Sequence, residues 1–424
     1  MNYIFFQEGF AQHLHPLTLT KPAFDLILGA KLLLTSHLEA FKPTNYSLIT
    51  PKYLEESVER RHGVPVNPES VENETVFVNA LLKPGAEDLV KGLVEKERRF
   101  TAFSGEHLVA AKLSREESSQ LLQVWSEPKI QAEWLRKYGR RYSLPESTLI
   151  HHLWEFIELN EDVLNKQLSA HTPSHDAGEL GMVYGPSSRL IVEEGVEVEE
   201  HVIFDTRKGP IFVGEGTLIQ SFTKVCGPAY IGRGVLVKPH TFINSGTTVG
   251  DQVRLGGEVE RSIISPYSNK AHEGFIGHSY VGEWVNIGAS TITSDLKDTY
   301  GTVRVREGGV AVDSGLLKVG CFIADNVKTS IGTYIYSGRR IGVASHLHSY
   351  IWEDVPSFTF YAKGLNAKLM EVDVELAIET QRRMMRRRGV EQSPEDRELL
   401  RRVFLMTKEE RYRMGVVKGR FKLP

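Results

Sequence analysis

Pairs of an aliphatic residue and glycine recur along the middle of the chain, and this repeat constrains the fold more than any other feature of the sequence. The pairs Val213-Gly214, Ile231-Gly232, Val249-Gly250 and Leu255-Gly256 stand six residues, or a multiple of six, apart. Such hexapeptide repeats are typical of parallel β-helices, in which three hexapeptides form one triangular coil. The aliphatic side chains stack inside the coils, and glycine permits the tight corners between strands. The pattern predicts a left-handed parallel β-helix, which we place at residues 185–355.

The six-residue rhythm breaks within residues 271–294, where Ile276 and Val281 stand five residues apart. Because a regular β-helix gains nothing from such a break, we expect His272 and its neighbours to lie on a displaced loop. Histidine titrates near neutral pH and is therefore suited to act as a general base. A lone surface histidine is usually inert, and the chain contains 15 histidines. The position of His272 at the break is what makes it the candidate catalytic residue.

Residues 1–170 show a different pattern, in which short apolar runs alternate with helical segments. The predicted elements are strands at 3–6, 46–49, 75–78 and 107–113 and helices at 26–34, 53–62, 129–140 and 148–168. This alternation predicts an α/β domain with an open sheet of parallel strands. Such sheets bind ligands at the carboxyl ends of their strands, which are here the loops after Phe6 and Val78.

From residue 169 to 188 the composition shifts to His, Pro, Ser and Gly, so we place a domain boundary there. A third region, residues 365–424, is predicted to be a basic helical tail. Arginines close its first helix, where they complement the helix dipole, and Gly389 ends it. Ser393 followed by Pro394 is typical of the start of a second helix. Interspersed acidic residues favour a cap on the β-helix or a subunit contact over RNA binding.

The composition excludes several classes of protein. A net charge of −3 argues against nucleic acid as a partner. Two cysteines cannot form a disulfide scaffold or a cysteine metal site. No apolar run approaches the ~20 residues needed to span a membrane, and the first ten residues lack the pattern of a signal peptide. We therefore expect a cytoplasmic protein that binds neither nucleic acid nor membrane.

The sequence around His272 resembles the acetyltransferase domain of the bifunctional GlmU proteins. The shared pattern is His-x-x-aromatic-Ile-Gly from His272, then Val-Gly-x-x-Val-Asn-Ile-Gly-Ala-x-Thr-Ile-Thr from Val281. GlmU proteins are glucosamine-1-phosphate N-acetyltransferases fused to a UDP-N-acetylglucosamine pyrophosphorylase. The resemblance is strongest over residues 190–350. The chain looks most similar to a divergent GlmU-like branch with a shortened N-terminal domain. It implies a homotrimer that transfers an acetyl group from acetyl-CoA to an amino-sugar 1-phosphate, with glucosamine 1-phosphate as the expected acceptor.

The resemblance also assigns roles to individual residues. His272 would deprotonate the acceptor amine, and the backbone N–H of Ala289 would stabilise the tetrahedral oxyanion. Asn286 stays open between a substrate contact and an asparagine ladder of the β-helix. The candidate contacts with the sugar phosphate are Lys238, Glu258, Arg261, Lys270, Phe275, Asp295 and Lys297. The candidate contacts with acetyl-CoA, besides Ala289, are the cations Lys328, Arg339 and Arg340. Phe275 and Asp295 stand where the bifunctional enzymes have tyrosine and asparagine.

A second similarity lies near the N-terminus. Gly9 followed by HLHPLTLTKP (residues 13–22) resembles the signature loop of sugar nucleotidyltransferases, which holds a triphosphate. It implies nucleotide binding by Gly9, Lys21 and Asn79, with Asn160 as a ligand of Mg²⁺ if this domain is active. The chain departs from the family pattern, because its loop has one glycine and no arginine. Asn79 also precedes Ala80 where the family has Gly-Asp.

Three functions therefore stay open. The favoured one is acetyl transfer. It could be followed by uridylyl transfer in the N-terminal domain, which would make UDP-N-acetylglucosamine. The first alternative is a sugar-1-phosphate nucleotidyltransferase whose β-helix serves to form oligomers. The second is a non-catalytic scaffold that binds a nucleotide sugar. The intact His272 motif argues against the scaffold, whereas the altered Gly9 loop argues for it.

Overall fold

The structure, a computed structural model, describes residues 1–125, 134–135, 137–170 and 181–419. The chain forms two compact units. The first contains Met1–Leu26 and Lys31–His152, and the second contains Ile27–Ala30 and Leu153–Pro424. Much of the boundary segment expected at 169–188 lies outside the described residues. Among the described residues, no helix has the length and apolar composition needed to cross a membrane.

A six-stranded mixed sheet forms the centre of the first unit. Three neighbouring strands are parallel, as the alternation of strands and helices predicts, whereas His107–Leu113 runs antiparallel to both of its neighbours. The strand Thr75–Asn79 is buried along its whole length, which explains its mostly apolar sequence. In spatial order the strands are Asn45–Ile49, Asn2–Phe6, Thr75–Asn79, His107–Leu113, Phe100–Ser104 and Arg140–Leu144.

Short helices connect these strands. The described α-helices of the first unit are Leu33–Phe41, Glu55–His62, Glu87–Lys96 and Arg115–Gln123, and its 3₁₀ turns are Gly9–Leu14, Ala23–Asp25, Lys52–Leu54 and Glu146–Thr148. The helix Arg115–Gln123 begins with a capping box, in which Ser114 and Glu117 each accept a hydrogen bond from the other's backbone N–H. The charged helix expected near residues 53–62 is confirmed. The helix expected at 129–140 falls largely outside the described residues, and Arg140 itself begins a strand.

The helix predicted at residues 26–34 is wrong for most of its length, because the helix begins only at Leu33. Two short strands, Ile27–Leu28 and Lys31–Leu32, precede it. Between them Gly29 has a φ of +72°, a left-handed value that glycine adopts without strain and that no α-helix contains. The repeated leucines of this segment therefore reflect burial rather than helical periodicity.

Short strands of the second unit stack into the three faces of a β-helix, which confirms the predicted fold class. The first face contains Leu190–Val192, Ile211–Val213, Ala229–Ile231, Thr247–Val249, Ile263–Ile264, Tyr280–Val281, Phe322–Ile323 and Arg340–Ile341. The second face contains Glu197–Val198, Leu218–Ile219, Leu236–Val237, Arg254–Leu255, Asn269–Lys270, Lys328–Thr329, His346–Leu347, Thr359–Tyr361 and, antiparallel to the last of these, Met370–Glu371. The third face contains Met182–Tyr184, Ile203–Asp205, Lys224–Cys226, Phe242–Ile243, Glu258–Glu260, Phe275–Gly277, Ile292–Thr293, Tyr334–Ile335 and Tyr350–Ile351.

The coils of the β-helix differ in length. Val213 pairs with Ile231 and Ile231 with Val249, so these two coils are equal in length and match three hexapeptides each. The next two coils are shorter, because Val249 pairs with Ile264 and Ile264 with Val281. These aliphatic side chains belong to one continuous buried core. Six-residue spacing of the aliphatic-glycine pairs thus marks the regular coils, and departures from that spacing mark the shortened coils.

One coil carries a long insertion. Val281 pairs with Ile323, more than two regular coils further along the chain, because residues 295–318 leave the coil before the chain returns to it. This insertion contains an antiparallel hairpin formed by Arg304–Glu307 and Val310–Asp313.

Helices flank the coils of the second unit. The described α-helices are Leu153–Ser169, Val374–Arg386, Pro394–Met406 and Lys408–Arg413, and the 3₁₀ turns are Ser187–Arg189 and Lys363–Leu365. We call Val374–Arg386 the tail helix. The helix that follows it begins at the predicted Ser393 cap, which forms a capping box with Asp396. Arg411 is buried, pairs with Glu371 at 2.9 Å and lies over the ring of Phe404.

Candidate functional site

A cavity of about 1010 Å³ lies along the second face of the β-helix, and we call it the tail cavity. A row of side chains paired across successive coils lines it: Leu236, Arg254, Asn269, Asn286 and Lys328. Met384, at the end of the tail helix, and the following Arg387 and Arg388 also line it. Its volume is at the upper end of those typical of ligand sites, so it has room for a large cosubstrate.

His272 lines the tail cavity and is exposed to solvent. It lies on the bend between Asn269–Lys270 and Phe275–Gly277. Its imidazole makes no hydrogen bond with the described residues, whereas its backbone carbonyl accepts one from Lys270. Both ring nitrogens are therefore available to a ligand.

The bend at His272 projects because the corner stacked on it is shorter. Leu255 pairs with Lys270 and Val259 with Ile276, so the same corner spans four residues in one coil and six in the next. The larger corner has no full-length neighbour on that side. The five-residue spacing between Ile276 and Val281 is a separate short corner, which stacks on an equally short corner between Val259 and Ile264.

Ala289 and Asn286 line the same cavity. The N–H of Ala289 has no hydrogen-bond partner among the described residues, although its carbonyl accepts from Gly332 at 2.8 Å. An unpaired N–H in a cavity wall is a ready donor to an oxyanion. Asn286 Oδ1 accepts from Asn269 Nδ2 at 3.3 Å, and Asn269 Oδ1 accepts from Arg388 Nη2 at 2.6 Å. Asn286 and Asn269 thus form a hydrogen-bonded pair that faces the cavity, whereas their neighbours Ile287 and Lys270 point into the β-helix.

The tail cavity has a cationic lining. Lys238 and Lys328, expected at a ligand site from the sequence, are joined by Arg254, Arg387 and Arg388. None of the described residues that line it is an aspartate or glutamate. Burial, together with the charges of Arg254 and Arg387, lowers the pKa of Arg388. The arginine cluster of the tail is visible in the sequence, but only the fold reveals which coils it reaches.

An aromatic pair extends the lining. The rings of Tyr267 and Trp284 stack with centroids 4.3 Å apart and planes within 8°. Beside them Lys328 Nζ donates to the carbonyls of Trp284 and Asn326, at 3.1 and 2.7 Å. Burial lowers the pKa of Lys328 to about 7. A bound anion would favour its charged form.

A second cavity of about 530 Å³ lies at the base of the insertion. His278 lines it, and its Nδ1 lies 2.7 Å from Oδ2 of Asp295, a pair that the sequence analysis missed. Arg261 also lines it and forms an ion pair with Glu161 at 2.6 Å. Asp295 and Arg261, predicted as sugar contacts, are therefore placed apart from the cavity that contains His272.

Three further predicted sugar contacts also lie outside the tail cavity. Glu258 and Phe275 pair with each other on the third face. Lys297 Nζ donates to the carbonyl of Thr302 at 3.0 Å, within the insertion. Side chains that are close together in the motif thus lie on different faces and corners of the coil, so they do not share one cavity.

Lys270, Arg339 and Arg340 do not fit their predicted roles. Lys270 as an accessible sugar contact is wrong, because it points into the β-helix and is 1% exposed. Arg340 pairs with Asp354 at 3.1 Å, Arg339 Nε donates to the carbonyl of Ser337 at 2.9 Å, and neither lines the tail cavity. Both arginines lie at the first face, whereas the tail cavity lies at the second.

The first unit has its own cavity, of about 420 Å³, at the carboxyl ends of Asn2–Phe6 and Asn45–Ile49. Parallel sheets bind ligands at this edge, and Gly9, in the loop after Phe6, lines the cavity, whereas the loop after Val78 does not. Lys21 is buried and does not line it. Thr50 lines it, is 6% exposed, and its Oγ1 has no hydrogen-bond partner among the described residues. We call this space the first-unit cavity.

The structure uses Asn79 and Asn160, the two asparagines predicted at a magnesium-dependent nucleotide site, inside the protein core. Asn79 as a nucleotide contact is wrong, because it is fully buried and its amide accepts from Leu81 N and donates to Leu108 O. Asn160 as a metal ligand is wrong for the same reason, since its Oδ1 accepts from Gly29 N in the core of the second unit. No group of three or more His, Cys, Asp or Glu among the described residues could hold a metal ion.

Comparison with known proteins relates the chain to sugar nucleotidyltransferases and to acetyltransferases. A family model described as sugar nucleotidyl transferase matches residues 3–175. A bifunctional sugar-1-phosphate nucleotidylyltransferase/acetyltransferase of Sulfurisphaera tokodaii is 35% identical over 143 residues, 33% of this chain and 36% of the relative. The bifunctional protein GlmU of Methanocaldococcus jannaschii is 33% identical over 171 residues, 39% of this chain and 41% of the relative.

A third relative is matched over most of its length. The uncharacterized acetyltransferase YaiX of Escherichia coli O6:K15:H31 is 30% identical over 174 residues, 40% of this chain and 75% of the relative. The chain spans less than half of the length of the first two relatives. The chain therefore belongs to the acetyltransferase family that includes YaiX, and its residues 3–175 match the sugar nucleotidyl transferase model.

Proposed function

We propose that the second unit transfers an acetyl group from acetyl-CoA to the amine of an amino-sugar 1-phosphate, with glucosamine 1-phosphate as the first acceptor to test. One observation carries this proposal. The tail cavity combines an exposed histidine, an unpaired backbone N–H and a cationic lining without carboxylates among the described residues. The similarity to GlmU proteins and to an acetyltransferase supports the reaction class.

His272 is the general base of this mechanism. It takes a proton from the acceptor's ammonium group, which frees the lone pair of the nitrogen. The nitrogen attacks the thioester carbonyl, so that a C–N bond forms and negative charge develops on the oxygen. The N–H of Ala289 donates to that oxyanion. The C–S bond then breaks, the nitrogen loses its second proton, and the sulfur of CoA is protonated.

The remainder of the tail cavity suits coenzyme A. Its pyrophosphate and 3′-phosphate need cations, and arginine forks bind phosphate oxygens through paired N–H groups. Arg254, Arg387 and Arg388 supply such groups, and Lys238 adds a point charge. The stacked Tyr267 and Trp284 offer an aromatic surface for the adenine ring.

We further propose a homotrimer. Ile292, Tyr334 and Tyr350 pair across successive coils of the third face and are 40%, 38% and 49% exposed. Adjacent exposed apolar side chains of this kind mark interaction surfaces. Glu258 and Phe275 lie on the same face, so a neighbouring subunit would bring them to a shared acceptor site. The number of three subunits comes from the resemblance to GlmU proteins.

The test is the release of free CoA from acetyl-CoA with glucosamine 1-phosphate. His272→Ala should lower kcat at least a hundredfold, because general base catalysis contributes about 10²–10⁴. His240→Ala is the matched control, since His240 is exposed at the corresponding corner of an earlier coil and does not line the tail cavity. Sedimentation should give the mass of a trimer for all three proteins. A wild type that acetylates no amino-sugar 1-phosphate, or an active His272→Ala, would refute the proposal.

A second candidate function belongs to the first unit: binding of a nucleotide sugar without transfer. The first-unit cavity lies at the ligand edge of the sheet, and Thr50, which lines it, has a buried hydroxyl without a hydrogen-bond partner among the described residues. The amides of Asn79 and Asn160, predicted at the magnesium-dependent site of nucleotidyl transfer, are nevertheless engaged in hydrogen bonds elsewhere and cannot form that site. A retained cavity without that site favours binding over turnover.

Calorimetric titration with UDP-N-acetylglucosamine, with and without Mg²⁺, tests this second candidate. We expect binding that does not depend on Mg²⁺ and that weakens about twofold to tenfold in Thr50→Val, the effect of one hydrogen bond. Thr101→Val is the control, because its hydroxyl is also buried and unpaired among the described residues but does not line the cavity. Release of pyrophosphate from UTP and a sugar phosphate would contradict the candidate.

A further inference from the structure

A lysine occupies an inward position of the β-helix. Lys270 pairs with Leu255 of the preceding coil, and the bridge between Asn269 and Asn286 places Ile287 at the same position of the following coil. Leu255 and Ile287 belong to the hydrophobic core. The hexapeptide pattern predicts an aliphatic residue at all three positions.

The ammonium of Lys270 lies beneath two stacked corners. Its Nζ donates to the carbonyl of Gly256 at 2.9 Å and to the carbonyl of His272 at 2.6 Å. It forms no ion pair with the described residues. Gly257, with a φ of +75°, leaves room for it, since a Cβ there would lie 2.9 Å from Nζ. The ammonium of Lys270 is thus held by two backbone carbonyls, one from each of the two stacked corners.

Stability alone does not account for this lysine. A buried ammonium without a carboxylate is costly, and an unbranched apolar side chain would fill the same space. What an apolar side chain cannot supply is the hydrogen bond to the carbonyl of His272. That bond has structural value here, because the preceding coil's corner is two residues shorter than the corner with His272.

The backbone ladder leaves the bend unsupported on that side. Gly256 N donates to Lys270 O, and Glu258 N donates to Gly274 O. Among the described residues, no backbone N–H of the preceding coil reaches a carbonyl of residues 271–273. The side chain of Lys270 replaces the missing ladder bond and directs it to His272.

We propose that Lys270 is a positioning residue, which holds the backbone of His272 so that the imidazole stays aimed at the reacting amine. This inference rests on the proposed acetyl transfer. Lys270 does not touch the substrate, and it acts only through the geometry of the bend.

The first test is Lys270→Met, which removes the ammonium and keeps the unbranched shape. We expect an intact assembly with an unchanged or higher Tm, a kcat for CoA release lowered about tenfold to a hundredfold, and a KM for acetyl-CoA within about twofold of the wild type. Leu255→Met is the control, since it changes the adjacent inward position without touching His272. Lys270→Leu, which restores the residue type of the neighbouring coil, replaces the Met variant if that variant does not fold.

The second test is hydrogen exchange of the amides in residues 271–275, which needs no activity. Exchange should rise at least tenfold in Lys270→Met and stay unchanged in Leu255→Met. A variant with wild-type kcat and exchange would overturn the inference, and so would a loss of kcat without faster exchange. If the wild type releases no CoA, the proposed function fails, and the exchange experiment still decides whether Lys270 anchors the bend.

Discussion

At the scale of residues, the second unit uses buried lysines as donors to backbone carbonyls. Lys270 and Lys328 each donate to two carbonyls, and burial lowers the pKa of both. Both lysines were predicted to contact ligands, because a lysine near a motif suggests an anion. Whether its ammonium points outwards depends on the register of the coil, and the shortened corner before Lys270 obscures that register.

The pKa of Lys270 makes stability depend on pH in a defined direction. Burial lowers this pKa from about 10.5 to about 8. Between these values the unfolded chain binds more protons at this site than the folded chain, so the site adds stability as pH rises from about 8 to 10.5. Below pH 8 the ammonium is charged in both states, and its burial costs on the order of 3 kcal/mol.

Lys270→Met removes this cost. The free energy of unfolding of the variant, relative to that of the wild type, should therefore be most favourable at pH 7 and should decline towards pH 10. Chemical denaturation of both proteins at several pH values measures the difference. A difference that is constant with pH would show that Lys270 does not titrate as its burial implies.

At the scale of elements, the arginines of the tail helix and those directly after it have two different roles. Arg382 and Arg383 pair with Glu379 on an exposed surface, whereas Arg387 and Arg388 line the tail cavity. The sequence alone assigned all of them to the helix dipole, because spacing along one helix does not identify the surface it packs on. The capping of the following helix by Ser393, a purely local feature, was predicted correctly.

This division predicts a contrast between two double variants. Arg387→Ala with Arg388→Ala should raise the KM for acetyl-CoA at least tenfold and weaken its dependence on salt, because cations that face phosphates are removed. Arg382→Ala with Arg383→Ala should leave KM within about twofold. Steady-state kinetics at low and high ionic strength provide the measurement, and equal effects of the two pairs would contradict the assignment.

At the scale of the whole molecule, the parts that depend on local repetition were predictable and the parts that depend on long-range placement were not. Each coil contacts its neighbours, so a six-residue spacing is enough to define the β-helix. The ligand edge of the first sheet also followed from strand order, and a cavity lies there. Asn79 and Asn160 were misassigned because a position in a motif does not reveal that its amide is used inside a core.

The unequal coils have a consequence for how this protein can change in length. Between Val213 and Val249 the turns are identical in length, so one turn could be duplicated or deleted while all three faces continue in phase. Beyond Val249 the stacked position recurs at Ile264, Val281 and Ile323, three intervals that all differ, and no such exchange preserves their alignment. The β-helix thus joins a segment of equal coils, which could gain or lose whole turns, to a segment of unequal coils. The unequal corners of the second segment form the cavities.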